Sequence, residues 1–269
     1  MRKEVLSRHL DGPSMKKRIV SLFLSLALLT FAAACGSSAP QETPDPSGEP
    51  ASSSQLEASS TPKPTPSPEP TPTPESDDSC FENSAFLGNS LVSDLYTYAI
   101  VPDADYYFKN GLTVRSVFTE PEAGSSTGTP VYEAAVSQHY DKYFLMFGLN
   151  ELGWSYESVF IDDYRTLIET LQKDEPDAEI YVQSLTPVSQ SRSDKNLYGV
   201  TNDRIVLYNN LLRDLCEELD VPFVDISTAV IGPDGTLPEQ AAADGVHLNY
   251  EYCGVWVDTL RAAIPAGSH

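Results

Sequence analysis

Three short strings, far apart in the chain, carry residue types that can work together on one bond. FLGNSLV (86–92) offers Ser90, FGLNELGW (147–154) offers Gly148 and Asn150, and DGVHLN (244–249) offers Asp244 and His247. A serine hydroxyl attacks a carbonyl only when a base takes its proton. An imidazole does this well when a carboxylate fixes its tautomer and stabilises the imidazolium that forms. Asp244 stands three residues before His247, with Gly245 opening a tight turn between them. The oxyanion that forms needs hydrogen-bond donors, and an asparagine amide such as that of Asn150 is one. Nucleophile, base, orienting acid and oxyanion donor are the parts of an acyl-transfer site, and that chemistry needs no metal and no cofactor.

Each residue also has a plain structural reading. A serine after asparagine is often just a helix N-cap. An asparagine after glycine is often a turn residue. His139, in the polar stretch VSQHYDKY, reads as a surface histidine. No GxSxG string is present, so a nucleophile elbow of the α/β-hydrolase kind is not indicated. The argument therefore rests on where the surrounding elements place the strings.

Short apolar runs read as strands at Ala85–Leu87, Asp105–Phe108, Lys142–Phe147, Glu179–Ser184 and Pro222–Val224. Apolar residues at helical spacing predict helices over Tyr156–Lys173, Asn202–Leu219 and Tyr250–Ala263. Alternating β and α elements with near-continuous apolar strands predict an α/β domain. It would be a three-layer α/β/α sandwich around a mostly parallel sheet of about five strands. Sites in such folds gather at the carboxyl ends of strands. Ser90 and Asn150 fall there, and Asp244 and His247 fall in the loop before the last helix. Gly111 follows the second predicted strand. Its N–H could reach the same oxyanion, and a side chain at that position would be expected to crowd the site.

These positions, in this order, resemble the SGNH (GDSL-type) hydrolase superfamily. GNS at 88–90 is similar to the serine block, with Asn89 where the family usually has Asp. Gly111 matches the glycine block. Gly148-Leu149-Asn150-Glu151 matches the GxND block, with Glu151 in place of Asp, and Asp244-Gly245-Val246-His247 matches the DxxH block. The resemblance spans roughly Phe86–Leu260. It implies a flavodoxin-like fold and a serine esterase with catalytic Ser90, His247 and Asp244. It also implies an oxyanion site formed by Gly111, Asn150 and the Ser90 N–H. The two departures fall on non-catalytic positions and bear on the hydrogen bonding behind the site.

Residues 16–18 are basic and precede the apolar run from Ile19 to Ala34, with Cys35 directly after it. That layout reads as a secretory signal over residues 1–34, with Met15 as an alternative start. Cys35 resembles the lipidated cysteine of bacterial lipoproteins. Residues 35–79 would then be a lipidated cysteine followed by a Pro/Thr/Ser/Glu-rich spacer. Eleven prolines between Pro40 and Pro74 and almost no apolar residues leave nothing to build a core. The expected location is the outer face of a bacterial cytoplasmic membrane, held there by a lipid anchor.

Residues 80–269 suit one domain. They carry 29 acidic and 10 basic residues, a net charge of −19 that disfavours nucleic acid. A monomer is expected. Cys80, Cys216 and Cys253 allow either one disulfide or three buried thiols, and their spacing does not suggest zinc. Trp154, Tyr156, Tyr250 and Tyr252 lie near the strings, and Trp154 and Tyr250 could form a substrate rim. The expected substrate is a small-molecule or glycan ester, with O-acetyl or another short acyl group. An acetyltransferase acting on cell-wall glycan would use the same residues. A surface lipoprotein that binds glycan without turnover is the reading from a different class.

Overall fold

The computed structural model describes residues 78–265, and the predicted signal, Cys35 and the proline-rich spacer lie outside them. The chain alternates strand and helix. β1 spans Ser84–Gly88, α1 Ser90–Tyr98, β2 Asp105–Phe108, α2 Val131–Val136, β3 Lys142–Met146 and α3 Glu157–Asp174. β4 then spans Glu179–Gln183, α4 Gln190–Lys195, α5 Asn202–Leu219, β5 Phe223–Val224, α6 Ser227–Val230 and α7 Tyr250–Ala263.

The strands form one parallel sheet in the order β2-β1-β3-β4-β5. After Ser84 and Lys142, which open them, the central strands β1 and β3 are apolar because helices cover both faces, and every residue of both is buried. Register is fixed by aromatic rings on one face. Tyr106, Phe86, Phe144 and Tyr181 sit opposite one another on four adjacent strands. Their rings stack with centroids 5.2, 4.7 and 5.1 Å apart. A slip of one residue would turn this ladder to the opposite face.

α1 and α7 pack together over the ladder face. Tyr96 of α1 meets Tyr106 edge-on, and the Trp256 indole of α7 donates to Gln183 Oε1 at 2.6 Å. α3 and α5 pack on each other, with Phe160 stacked on Tyr208 at 4.7 Å. Cys216 and Cys253 are buried free thiols, so no disulfide joins this pair. Burial pushes both up to about 12, which keeps them protonated.

The sheet order also locates the site. From β1 the chain steps to one side to form β2, then crosses to the other side to form β3. The connections after β1 and β3 therefore diverge, and a crevice opens between the carboxyl ends of these strands.

Candidate active site

The serine lies on one side of that crevice. β1 ends at Gly88, where a Cβ would come within 2.5 Å of the Met146 carbonyl oxygen and 2.6 Å of Val92. Only glycine lets β1 and β3 run this close before the chain turns. Asn89 is the N-cap of α1, and its side-chain oxygen accepts the Leu91 N–H at 3.0 Å. The cap role that the plain reading gave to the serine is taken by Asn89 instead. Ser90, the first residue of the helix, keeps its hydroxyl free for other partners.

The turn after β3 faces the serine. Gly148 has φ +125°, and a Cβ there would meet Leu185 at 2.7 Å. The next three residues form a single tight turn that holds two side chains toward the loop after β2. Asn150 Nδ2 donates to the Leu112 carbonyl at 2.8 Å, and Glu151 Oε1 accepts the Val114 N–H at 2.6 Å. One amide hydrogen of Asn150 fixes its orientation in this way, and the other stays available. Burial pushes the Glu151 carboxyl up to about 7, against the backbone N–H groups that favour its charged form.

Gly111 begins the loop that Asn150 and Glu151 pin. Its φ is +77°, but a Cβ added to it meets nothing within 4 Å. The crowding expected there is therefore absent. The backbone conformation is what calls for glycine, and Gly111 does not line the cleft that holds Ser90.

The third string brings a carboxylate and an imidazole together in one turn. Asp244 Oδ1 accepts the N–H groups of Val246 and His247, both at 2.9 Å. Its Oδ2 lies 2.7 Å from His247 Nδ1, and His247 Nε2 lies 2.9 Å from Ser90 Oγ. Burial alone would raise the Asp244 carboxyl. The hydrogen bonds from His247 and Val246 outweigh it and hold the group below its ordinary value. With Asp244 charged, Nδ1–H donates to it and Nε2 is left to accept the serine proton. Asn249 closes the loop as N-cap of α7, accepting the Tyr252 N–H at 3.1 Å and donating to the Gln240 carbonyl at 2.9 Å.

Asp94 was not visible as part of this array. It lies one helical turn beyond Ser90, and burial raises its carboxyl to about 6, modulated by His247 and Asp244. Nothing in LVSDLY marks it, because its role arises only when α1 meets the loop before α7.

The array opens into a cleft of about 530 Å³. Leu149, Asn150, Val246, Asp244 and His247 form the floor around Ser90, and Arg192, Lys195, Leu197 and Tyr198 form one wall. The expected rim residues lie elsewhere. Trp154 lines a neighbouring hollow that shares Asn150 and Tyr198 with the cleft, and the Arg115 guanidinium sits 5.5 Å from its ring centroid. Tyr250 is exposed and meets Tyr98 edge-on. The wall residues were missed because QSRSDKNLYG has neither apolar periodicity nor a motif. Among the described residues, no group of three or more His, Cys, Asp or Glu side chains is placed to hold a metal.

Residues 86–251, which hold all three strings, match the model of the GDSL-like lipase/acylhydrolase family. The chain belongs to this family. It is accordingly a GDSL-type esterase. Among solved structures, a protein of Streptococcus pneumonia provisionally named as a platelet activating factor is 20% identical. That match has a TM-score of 0.57 and covers 68% of this chain and 84% of the other. A GDSL-like lipase from Bacteroides thetaiotaomicron is 15% identical with a TM-score of 0.51, covering 67% and 86%. Axe2, an acetylxylan esterase from Geobacillus stearothermophilus, is 15% identical with a TM-score of 0.51, covering 70% and 95%. At these identities the likeness to this GDSL esterase is one of fold. No curated protein matches it in sequence.

Proposed function

We propose that this GDSL esterase removes short acyl groups, O-acetyl foremost, from carbohydrate or small esters through Ser90, His247 and Asp244. The observation that carries this reading is the unbroken hydrogen-bonded line from Asp244 through His247 to Ser90, ending in an open cleft. His247 Nε2 takes the Ser90 proton as Oγ bonds to the ester carbonyl carbon. The carbonyl electron pair moves to oxygen, where the free Asn150 amide hydrogen and the Ser90 N–H donate to it. When that pair returns, the C–O bond to the alcohol breaks and the imidazolium protonates the leaving oxygen. Water, deprotonated by the same imidazole, then attacks the acyl carbon; the bond to Ser90 Oγ breaks, the imidazolium returns its proton to Oγ, and the acid leaves. Gly111 acts at one remove, by shaping the loop whose Leu112 carbonyl orients Asn150.

The acyl preference is supported by the modest size of the cleft and by its mixed apolar and polar floor. An acetylxylan esterase of similar fold is consistent with it. Hydrolysis of 4-nitrophenyl acetate by the wild type and by Ser90→Ala tests the reading. Turnover lost in the variant with unchanged circular dichroism is expected, and full turnover in Ser90→Ala would remove the mechanism.

We also propose that the protein is exported and anchored by a lipid on Cys35. Support comes from the basic residues 16–18, the apolar run and the cysteine that follows it. Cys35→Ala should move the protein from the membrane fraction to the soluble fraction. Continued membrane retention would contradict the anchor.

A further inference from the structure

The cleft wall carries positive charge in a domain that is otherwise strongly acidic. Residues 80–269 hold ten Lys and Arg side chains. Six of them, Lys109, Arg115, Arg165, Arg204, Arg213 and Arg261, make ion pairs with carboxylates. Among the described residues the other four make none, and two of these, Arg192 and Lys195, line the cleft beside Ser90 and His247.

Arg192 is the more informative of the two. Its stem packs at the turn that carries Asp244 and His247, since a Cβ added to Gly245 would lie 2.9 Å from Arg192 Cβ. Arg192 thus shares the cleft with Ser90 and His247. A guanidinium is a rigid planar fork suited to a carboxylate. Lys195 stands three residues on, at the end of the same short helix, as a mobile point charge.

The acids nearby do not neutralise this pair. Asp194 accepts from Gln190, Glu239 accepts from Ser191, and neither lines the cleft. Asp244 does line it, but its two oxygens are engaged by His247 and Val246. In a protein with nearly three acids for each base, leaving two cations unpaired at the active cleft is selective.

We infer that Arg192 and Lys195 bind a carboxylate on the substrate, so that the preferred ester is an acylated acidic glycan containing uronate units. This deepens the proposed esterase reading and rests on Ser90 marking the reaction centre. The scissile ester would sit over Ser90 while the carboxylate of the same or an adjacent sugar meets the Arg192 guanidinium and the Lys195 ammonium, the two cations that line the cleft. A neutral glycan would fill the same cleft and leave both cations without a counter-charge.

The test uses the full chain and three acetylated carbohydrates: an oligogalacturonide, its carboxyl-reduced neutral counterpart, and a phosphorylated neutral oligosaccharide of the same length. Calorimetry with Ser90→Ala measures binding without turnover. The uronate oligomer should bind about tenfold or more tightly than its reduced form, the size expected of one charge-assisted contact. That preference should collapse toward one when Arg192→Gln and Lys195→Gln are added together, and return in part with Arg192→Lys. Lys173→Gln, an exposed cation away from the cleft, should leave it as in the parent. Kinetic preference in the Ser90-containing chain should follow the same order through KM.

Equal binding of charged and reduced oligomers would overturn the inference. So would a preference that survives loss of both cations, or tighter binding of the phosphorylated sugar than of the uronate. The Ser90 reading fails separately, if Ser90→Ala still hydrolyses 4-nitrophenyl acetate.

Discussion

The floor and the wall of the cleft are built in opposite ways. The floor consists of the turns after β1 and β3 and the loop before α7. Gly88 has no room for a methyl group, Glu151 is buried, and Asn150, Glu151 and Asp244 each spend a hydrogen bond holding backbone in place. The wall, α4 and the turn after it, has no buried residue from Gln190 to Gly199. Tyr198 is 87% exposed there, and Asn196 and Tyr198 both adopt left-handed backbone. Chemistry that tolerates little displacement sits on over-determined backbone. The wall that lines the rest of the cleft sits on a segment that can change at little cost to the fold.

The contrast can be broken first at the base. His247→Ala should lower ester hydrolysis by about 10⁴-fold or more while leaving helical content unchanged. Steady-state kinetics beside circular dichroism would show it, and normal turnover would mean that another base serves Ser90. Asn150→Ala should cost about 10²–10³ in kcat with little change in KM. A rise in KM at constant kcat would place the amide in substrate binding instead.

A third effect concerns the stability of the floor. Glu151 is raised from 4.5 to about 7 by burial, so the folded state holds its proton more tightly than the unfolded state. Its contribution to stability is full below about 4.5 and is lost as pH rises through about 7. Denaturant titrations across that window should show stability falling with pH in the wild type. In Glu151→Gln that slope should flatten, and an unchanged slope would assign the pH dependence to other groups. The smallest effect is expected on the wall. Tyr198→Ala should shift stability by no more than about 0.5 kcal/mol, while KM for a glycan ester rises. A large loss of stability would show that the wall is as constrained as the floor.

What the sequence made legible follows the same division. Asp105–Phe108, Asn202–Leu219 and Tyr250–Ala263 have the boundaries that their patterns predict, and the other predicted elements shift by a residue or two. Their apolar spacing is set by a buried sheet and leaves few alternatives. Ser90, Asn150, Asp244 and His247 stood out because each type sits beside a strand end or a helix start. α2, α4 and α6 are short, and α4 is wholly polar-faced, so no periodicity announces them. Arg192, Asp94 and Tyr198 matter through neighbours distant in sequence. The direction in which a side chain on a loop projects is a tertiary fact, which is also why Trp154 and Tyr250 fell outside the cleft.

Ser90 and His247 touch across 157 residues of chain. That contact forms only after the whole sheet has been assembled and the loop before α7 has docked on α1. Closure of so long a segment comes late in folding, because its entropy must be met before the contact returns anything. Native fluctuations that lift α7 would separate the same pair without unfolding the sheet. Hydrolytic activity should therefore decay at lower denaturant than the signal of the aromatic ladder, making the enzyme its own reporter of whether its last helix is seated.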